Sequence, residues 1–439
     1  MFTDRRHLRD HQESRLRSVL ASVIPGNTFY AEKLAGIDLA KARLADLPFT
    51  TKAELLSDQE RHPPYGRMLS LPHELYSRLC QTSGTTTGRP LYWLDTPESW
   101  NAMLGCWEQM FRLIGMRKDD RLFFPFSFGP FLGFWTAFDF ATRNGYFTLP
   151  GGGMTSSARL RFLQEHRVTV VYCTPTYALH LAEVAVNEGI ELPASGVRML
   201  IVAGEPGGSI PETRRRIETA WGARVIDHSG MTETGPMAVE CWQAPGGLHM
   251  LEADYFAEAI NPANDKEVSP GETGELVVTN LSRTASPLVR YRTGDLVQVD
   301  IEPCPCGCIF ARLKGGILGR VDDMIHLRGN NLYPSAIENL LRRFPEVAEY
   351  RVVVEETPTL SNLRIEIEPL PSASNSILAD RISKMVRDEL LFRAEVLCVA
   401  PGSLPRFEMK ATRFVRGDYR SRSASPPPSP VHRSGGEGS

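Results

Sequence analysis

A run of small hydroxyl and glycine residues near the start of the chain has the composition of a phosphate-binding loop. Residues 81–90 read QTSGTTTGRP, and such a run offers backbone N–H groups and hydroxyls to phosphate oxygens with little steric bulk. It is not a Walker A loop, because no Gly-Lys-Ser/Thr follows. A flexible Ser/Thr linker is the alternative interpretation. The candidate phosphate ligands are Ser83, Gly84, Thr85, Thr86, Thr87 and Gly88.

Two further glycine-containing turns each follow an apolar run. Ligands of open α/β sheets bind beyond the carboxyl ends of strands, so both turns lie where a nucleotide can dock. In the second turn a hydroxyl can contact a phosphate and a carboxylate can ligate Mg²⁺. The alternatives are an ordinary strand-to-helix turn and a solvated glutamate. The candidate residues are Gly204, Glu205 and Pro206 in the first turn, and Thr232 and Glu233 in the second.

Three later segments complete the set of candidate motifs. Asp295, in YRTGDL, has a carboxylate on a turn that can accept hydrogen bonds from both hydroxyls of a ribose. Arg320 opens RVDDMI, and Lys410 lies in LPRFEMKATR, where a lysine would ordinarily be a surface residue. No one of these segments is specific by itself, so their order and separation along the chain carry the information.

Cysteine and histidine residues suggest a second kind of site. The run CPCGC supplies Cys304, Cys306 and Cys308, and Cys241 and His249 lie upstream. Three thiolates and one imidazole make a closed tetrahedral set for structural Zn²⁺. We predict that Cys241, His249, Cys304 and Cys306 are the ligands, with Cys308 as a rival. Reduced, buried thiols are the alternative.

Composition narrows the function classes. With 42% hydrophobic residues, the 439-residue chain can build large cores. A net charge of −3 gives no basic field for nucleic acid or an acidic membrane surface, so neither is expected as a partner. The charged N-terminus lacks the apolar stretch of a signal peptide, which predicts a cytoplasmic protein.

The pattern of apolar residues predicts an α/β fold with two domains. VTVVYCT and VRMLIVAG are continuous apolar runs typical of parallel strands buried on both faces. RLRFLQEH and PETRRRIETAW have helical spacing, whereas GELVVTNL and LVQVD alternate like antiparallel strands. We expect a large N-terminal domain, of mixed sheets layered with helices and a small β-rich part, over residues 1–319. A smaller, mobile α+β domain is expected over 320–416, and a disordered tail over 417–439.

Taken together and in this order, the motifs resemble the adenylate-forming superfamily, and within it the phenylacetate–coenzyme A ligase family. The resemblance runs from about Thr28 to Arg413, and residues 291–338 are its most specific part. It implies an enzyme that uses ATP and Mg²⁺ to convert a carboxylic acid into an acyl-adenylate, which then passes to coenzyme A.

The resemblance also implies roles for individual residues. Lys410 would enter the site for adenylation and leave it for thioester formation, and Asp322 would be the hinge of the small domain. Phe126 and Phe131 fall where similar enzymes line an aryl pocket, with Gly230 beside it, so a benzoate- or phenylacetate-like mono-acid is expected. The other implied roles are phosphate binding for Ser83 to Gly88, the adenine border for Gly204, Glu205 and Pro206, the α-phosphate for Thr232, Mg²⁺ for Glu233, and the ribose for Asp295 with Arg320 nearby.

The chain departs from the family pattern at three points. The phosphate loop has one threonine more than usual, Ser229 replaces an aromatic residue expected to stack near adenine, and Met409 replaces the glycine before Lys410. His228 is a candidate substitute for the missing stack. These departures keep open a non-catalytic nucleotide-binding homologue. Transfer to an acyl carrier protein or an amine instead of coenzyme A also stays open, as does a homodimer.

Overall fold

Five parallel strands at one end of a large mixed sheet form the part of the fold on which the candidate motifs depend. The computed structural model describes residues 2–23, 26–84, 89–327, 330–356, 361–371, 373–408 and 410–416. Its contacts divide the chain into two units, a large one (Met1–Ile325, Tyr333–Phe344 and Arg406–Ala411) and a small one (His326–Leu332, Pro345–Pro405 and Thr412–Ser439). The predicted boundaries at 319 and 416 stay a prediction, and the tail at 417–439 lies outside the described residues.

The helices of the large unit begin at residues that favour helix starts. Thr51, Thr96, Thr155 and Thr174 each accept a hydrogen bond from the backbone of the following turn, as N-cap residues do. The helices are α1 (Arg5–Val23), α2 (Thr28–Lys33), α3 (Lys52–Arg61), α4 (Pro97–Leu113), α5 (Trp135–Arg143), α6 (Ser156–Glu165), α7 (Pro175–Asn187), α8 (Pro211–Trp221) and α9 (Pro334–Leu341).

Most strands of the large unit belong to one twelve-stranded sheet. Its order is β10-β11-β12-β13-β9-β8-β7-β6-β5-β3-β4, with β14 paired to β12, and β1 and β2 form a separate hairpin. The strands are β1 (Arg78–Gln81), β2 (Tyr92–Asp95), β3 (Arg121–Phe124), β4 (Phe147–Pro150), β5 (Val170–Cys173), β6 (Met199–Val202), β7 (Arg224–Met231), β8 (Gly235–Glu240), β9 (Gly247–Met250), β10 (Tyr255–Ile260), β11 (Thr273–Asn280), β12 (Tyr291–Asp300), β13 (Arg312–Lys314) and β14 (Gly319–Arg320).

The parallel part of this sheet has a hydrophobic core on each face. Strands β3 to β7 pair in parallel, and every residue of β5 and β6 is buried. Alternate side chains of a strand point to opposite faces, so Tyr172 and Ile201 join the core under α4 and α5, whereas Val171 and Leu200 join the core under α6, α7 and α8. The predicted buried parallel strands and their flanking helices are confirmed.

The antiparallel part of the sheet differs from its predicted pattern in one respect. Strands β11 and β12 pair antiparallel, as expected. However, β11 is buried at every residue after the first instead of at alternate residues. Glu275 on it is buried because Arg292 binds its carboxylate, with Nε 2.8 Å from Oε2. The predicted alternation of buried and exposed residues is therefore wrong for β11, because the polar Glu275 is buried with a charged partner.

The small unit has its own sheet and helix, in agreement with the predicted smaller α+β domain. Strands β17 and β18 pair antiparallel, and β19 and β20 join their outer edges in parallel. Leu378, Ile382 and Val386 form one buried face of α10 at intervals of four residues. The elements are β15 (Ile325–Leu327), β16 (Asn330–Leu332), β17 (Val347–Glu356), β18 (Ser361–Pro369), α10 (Asn375–Leu390), β19 (Ala394–Cys398) and β20 (Phe414–Arg416).

In the described part of the chain, no helix combines the length and the apolar character that a membrane crossing requires.

Candidate active site

The two predicted turns lie next to each other, at the carboxyl ends of the neighbouring parallel strands β6 and β7. Strands β6 and β7 are parallel neighbours, so the turn after Val202 lies next to the continuation of β7. That continuation is longer than predicted. Strand β7 runs on through His228, Ser229 and Gly230 to Met231, because its second half pairs antiparallel with β8. The turn itself is a hairpin formed by Thr232, Glu233 and Thr234.

A buried ion pair stabilises this hairpin through its backbone carbonyls. Arg283 is 1% exposed and binds Asp95 through two hydrogen bonds, of 2.7 Å from Nε and 2.6 Å from Nη2. Its Nη1 donates to the carbonyl oxygens of Thr232 at 2.8 Å and Glu233 at 3.1 Å. The guanidinium therefore fixes the backbone of the two residues that were predicted to bind the α-phosphate and Mg²⁺.

The Glu233 carboxylate lies in a buried, partly cationic setting. Its side chain is 4% exposed, and its Oε1 is 3.1 Å from Nζ of Lys52 and 3.2 Å from the hydroxyl of Tyr291. Carboxylate oxygens are the ligands that Mg²⁺ prefers in proteins, so the group has the right chemistry for that ion.

The predicted phosphate loop begins beside the hairpin. The hydroxyl of Thr232 donates to the carbonyl of Gln81, the last residue of β1, at 3.5 Å. Thr82 closes the base of the loop, since its hydroxyl accepts a hydrogen bond from the N–H of Leu91 at 2.9 Å. Ser83 is exposed, and Gly84 has a φ of +67°. The remaining predicted phosphate ligands, Thr85, Thr86, Thr87 and Gly88, lie outside the described residues.

The predicted ribose site combines a buried carboxylate with an arginine. Asp295 and Arg320 are register partners in the pairing of β12 with β14, and Nη1 of Arg320 lies 3.1 Å from Oδ1 of Asp295. Arg320 also contacts both oxygens of Asp322, at 2.9 and 3.2 Å. Burial raises the pKa of Asp295 to about 6, although the arginine opposes this shift. The predicted hinge residue is therefore tied to the predicted ribose site through one side chain.

Lys410 lies beside the first glycine-containing turn. A Cβ on Gly204 would be 3.4 Å from Cε of Lys410, and Gly204 has a φ of +98°, which side chains rarely tolerate. Lys410 is exposed to solvent along part of its length, yet burial around its ammonium lowers its pKa. The carboxylates of Glu205, Glu233 and Asp295 oppose this shift and the guanidinium of Arg320 adds to it, so all four act on one ammonium.

Glu205 binds the backbone of two separate segments through its carboxylate. One carboxylate oxygen accepts from the N–H of Thr176 at 2.8 Å, in the first turn of α7, and the other accepts from the N–H of Ala411 at 2.7 Å. The residue thus connects the lysine segment to a helix start, while Pro206 beside it is exposed. Its predicted place at the adenine border is not excluded by these contacts and stays a prediction.

The residues predicted for the acid pocket and the adenine stack divide into two groups. Phe126 packs 5.0 Å from Phe128 and 5.9 Å from Phe134, whereas Phe131 is exposed. His228 lies in the same aromatic group, with its ring 4.9 Å from Trp107 and 6.0 Å from Phe134. Ser229 is only partly buried and Gly230 is exposed. A Cβ on Gly230 would be 2.8 Å from the carbonyl oxygen of Gly235, so only glycine fits that point of the hairpin.

Burial lowers the pKa of His228 to about 4, so its ring is neutral at neutral pH. Its Nδ1 is 2.9 Å from the carbonyl of Ala238, which can only accept, so Nδ1 carries the proton and Nε2 keeps a lone pair. The ring therefore offers an acceptor within the aromatic group and lies against the aromatic side chains instead of standing free for an adenine.

The predicted zinc ligands come together. Cys241, His249, Cys304 and Cys306 have ligand atoms within 4.8 Å of one another. The sulfurs of Cys241 and Cys304 are 3.7 Å apart, and Cys306 Sγ is 3.4 Å from Nε2 of His249. A tetrahedral zinc ion needs separations of about 3.8 Å between sulfurs and about 3.6 Å between sulfur and nitrogen. His249 Nδ1 donates to the carbonyl of Phe310 at 3.1 Å, which turns Nε2 toward the thiols.

Sequence reasoning missed four residues of the site. Lys52 lies in the run LPFTTK, to which sequence reasoning assigned no role, and Tyr291 entered it only as the first residue of the Asp295 segment. Arg283 and Asp95 stand in segments without a motif. A buried arginine paired across 188 positions leaves no local signal, because the pairing depends on the register of distant strands.

Comparisons with known proteins give matches over most of the chain. The sequence profile of the family described as AMP-binding enzyme matches residues 43–283, and that of the AMP-binding enzyme C-terminal domain matches residues 329–420. The chain is 30% identical to a phenylacetate–coenzyme A ligase of Thermus thermophilus, over 94% of this chain and 96% of that protein. A phenylacetate–coenzyme A ligase of Pseudomonas putida is 31% identical, over 92% of this chain and 93% of that protein.

Among solved structures, a 2-hydroxyisobutyryl-CoA ligase in the postadenylation state, in complex with 2-HIB-AMP, is similar to this chain. The TM-score is 0.89 at 30% identity, over 94% of this chain and 90% of that one. The same ligase in the thioesterification state, with 2-HIB-AMP and CoA, gives a TM-score of 0.69.

Proposed function

The chain belongs to the family of AMP-binding enzymes, and from this premise we propose that it is an AMP-forming acid–coenzyme A ligase. In the first half-reaction a carboxylate oxygen attacks the α-phosphorus of ATP, an acyl-adenylate forms and pyrophosphate leaves. In the second, the sulfur of coenzyme A attacks the acyl carbon, so a thioester forms, AMP leaves and the thiol proton is released. The predicted phenylacetate–coenzyme A ligase family is confirmed by relatives that match over more than nine-tenths of the chain.

The observation that carries this proposal is the placement of Lys410 beside Gly204, with the N–H of the next residue, Ala411, bound to Glu205. The carboxylates of Glu205, Glu233 and Asp295 and the guanidinium of Arg320 all act on the pKa of its ammonium, although they come from separate parts of the sequence. A carboxylate and a triphosphate repel each other, so a cation must stabilise the transition state in which they meet. We assign this role to Lys410 in the first half-reaction.

Glu233 is the proposed protein ligand of Mg²⁺. Bound there, the ion would offset charge on the triphosphate. Lys52, 3.1 Å from the same carboxylate, keeps this buried anion paired before substrate arrives. Thr232 presents its hydroxyl beside Gln81, at the start of the phosphate loop, which suits a contact with the α-phosphate.

Asp295 is proposed to accept the ribose hydroxyls, and Arg320 holds its carboxylate in place. The contact between Arg320 and Asp322 fits the predicted hinge role of Asp322. A change in the backbone dihedral angles of Asp322 would move Arg320, which also binds Asp295 at the proposed ribose site. The proposed adenine border comprises Gly204, Glu205 and Pro206, together with Ser229.

For the acid we propose an aryl mono-carboxylate. The aromatic group around Phe126, Phe134 and His228 provides edges and faces for a flat ring. The neutral His228 adds one acceptor, which suits a hydroxyl or amino substituent better than a second carboxylate. Phe131, being exposed, is a weaker candidate for the pocket wall than Phe126.

Release of pyrophosphate from ATP, measured across a panel of aryl and aliphatic acids, tests the first half-reaction. We expect turnover with benzoate- or phenylacetate-like acids, and loss of at least about 100-fold in the Lys410→Ala variant, with its fold intact. Normal turnover by that variant, or a preference for long aliphatic acids, would contradict the assignment of the lysine or of the pocket respectively.

The acceptor needs a separate assay. Thioester formation with free coenzyme A, compared with a phosphopantetheinylated carrier protein and with amines, separates the proposed ligase from the two predicted alternatives. Absence of pyrophosphate release with every acid would favour the non-catalytic homologue. The homodimer stays a prediction, which the mass of the protein in solution can test.

We also propose that Cys241, His249, Cys304 and Cys306 bind a structural zinc ion. The support is the agreement of their separations with a tetrahedral site and the hydrogen bond that orients His249. Cys308 is outside this group of four, and its backbone N–H donates to Cys306 Sγ at 3.4 Å, a contact that stabilises a thiolate.

A further inference from the structure

The segment from Arg406 to Ala411, which contains Lys410, is attached to the large unit at three points. Arg406 pairs with Glu183, with Nε 3.1 Å and Nη2 3.2 Å from its two carboxylate oxygens. Glu408 pairs with Arg159, with Oε2 3.2 Å from Nη1. The third point is the hydrogen bond from the N–H of Ala411 to Glu205. These contacts stand on both sides of the lysine in the sequence.

Arg159 is held in the large unit by contacts that do not involve the lysine segment. It lies on α6, is 4% exposed, and donates to the carbonyl of Gly151 at 3.0 Å and to the hydroxyl of Tyr177 at 2.5 Å. Its guanidinium also lies 5.3 Å from the centre of the Tyr177 ring. Those partners are uncharged, so the carboxylate of Glu408 is what compensates the buried cation.

Glu183 lies on the neighbouring helix α7, with His180 and Arg406 as its polar neighbours. His180, whose Nδ1 is 3.8 Å from Oε2, and then the hydrogen bonds from Arg406 lower the pKa of Glu183 to about 2. The start of the same helix supplies the N–H of Thr176 that holds Glu205. All three attachment points therefore depend on helices α6 and α7, which pack on one face of the parallel strands.

We propose that Arg159 and Glu183 are positioning residues, which hold the segment 406–411 so that Lys410 lies over Gly204 for the adenylation half-reaction. The inference rests on the proposed function. It adds that the lysine is held by two ion pairs on its N-terminal side and by the Ala411 hydrogen bond on the other side, and not by its own contacts alone. Since Lys410 is assigned to adenylation only, the same ion pairs contribute nothing to the chemistry of thioester formation and must break before the segment can leave.

The two half-reactions provide the test. Glu408→Gln and Arg406→Gln are made singly in the full chain, since both side chains are partly exposed and their loss leaves the core intact. Adenylation is followed by pyrophosphate release, and thioester formation by single turnover of the preformed acyl-adenylate with coenzyme A. We expect each variant to lose about 10-fold in the rate of adenylation, with KM for ATP and acid nearly unchanged, while the second half-reaction is unchanged or faster.

A matched control lies at the same two helices. Arg161 on α6 and Glu188, the C-cap residue that follows α7, form an ion pair at 3.3 Å that does not involve the lysine segment. Glu188→Gln should leave both half-reactions as they are in the unmodified protein. A charge exchange, Arg406→Glu with Glu183→Arg, should recover most of the adenylation rate that Arg406→Glu loses alone.

Three results would overturn the proposal: an unchanged adenylation rate in both segment variants, an equal loss in both half-reactions, or a loss in the control as large as in the segment variants. A lack of rescue by the charge exchange would remove Glu183 from it. Failure of the proposed function looks different, because the unmodified protein would then release no pyrophosphate. Thermal unfolding of each variant is measured alongside, and the rates report on positioning if each variant is fully folded at the assay temperature. A lowered unfolding temperature is expected for Glu408→Gln, because the buried Arg159 loses its charged partner.

Discussion

Asp295 illustrates how burial sets the working range of a single residue. Its raised pKa, about 6, means that the folded protein holds the proton more tightly than the unfolded chain does. The contribution of this group to folding stability therefore decreases as pH rises from the ordinary aspartate value of 3.8 toward about 6, and it is constant above that. The ionised carboxylate at neutral pH is kept at some cost in stability, which is understandable if its task is to accept hydrogen bonds from a ribose.

This leads to a prediction for nucleotide binding. Below about pH 6 a protonated Asp295 loses acceptor capacity, so the affinity for adenosine should fall as pH is lowered. Calorimetric titrations with adenosine between about pH 5 and 8 measure it, since adenosine itself does not change charge in that range. Asp295→Asn should bind weakly at every pH. Equal affinity of the unmodified protein at all these pH values would contradict the ribose assignment.

At this scale the sequence identified most of the charged residues that the structure brings together, because each stands in a recognisable motif. It did not identify Lys52 as the partner of Glu233, or Glu205 as the anchor of the lysine segment. Both relations depend on the folding of distant segments onto each other, which residue type and local spacing do not specify.

The hairpin between β7 and β8 contains Thr232 and Glu233, and a buried ion pair supports it. Arg283 is 1% exposed and Asp95 is fully buried, so removing one partner leaves an uncompensated charge in the core. We predict that Arg283→Met lowers the free energy of unfolding by about 3–5 kcal/mol. Urea unfolding followed by fluorescence measures the change.

The double variant separates stability from positioning. Adding Asp95→Asn to Arg283→Met removes the lone charge, so the double variant should regain part of the lost stability. Adenylation should stay slow in it, because the carbonyls of Thr232 and Glu233 still lack the guanidinium that orients them. Full recovery of the rate together with stability would show that the ion pair has no positioning role.

The elements were predictable to the extent that one physical rule decided them. Strands β5 and β6 are apolar throughout because helices cover both faces of the sheet. Helix α8 begins and ends at the first and last residues of the amphipathic run PETRRRIETAW. The continuation of β7 past Asp227 was not predicted, since DHSG is typical of a turn by composition. Its pairing with β8 overrides that local preference.

For the whole molecule, the division into a large α/β unit and a smaller α+β unit follows from the order of strand and helix patterns. The details of the division do not, because short segments such as 406–411 group with the large unit through contacts that lie far away in the sequence. In the antiparallel part of the large sheet, the four predicted zinc ligands are likewise brought together from distant segments of the sequence. Cys241 follows β8, His249 lies on β9, and Cys304 and Cys306 precede β13.

A zinc ion at this point would connect β8, β9 and β13 and thereby stabilise the antiparallel part of the large sheet. Purified protein should contain about one zinc per chain, and chelation should lower its unfolding temperature while leaving KM for ATP unchanged in the protein that remains folded. Cys304→Ser should lose the metal and show the same lowered temperature without chelator, whereas Cys398→Ser, on the small unit, should keep it. Because closure by the metal acts on folding and not on the reacting atoms, a stoichiometric zinc whose removal changed the rate of adenylation at full stability would mean that this cluster has a role in the reaction instead.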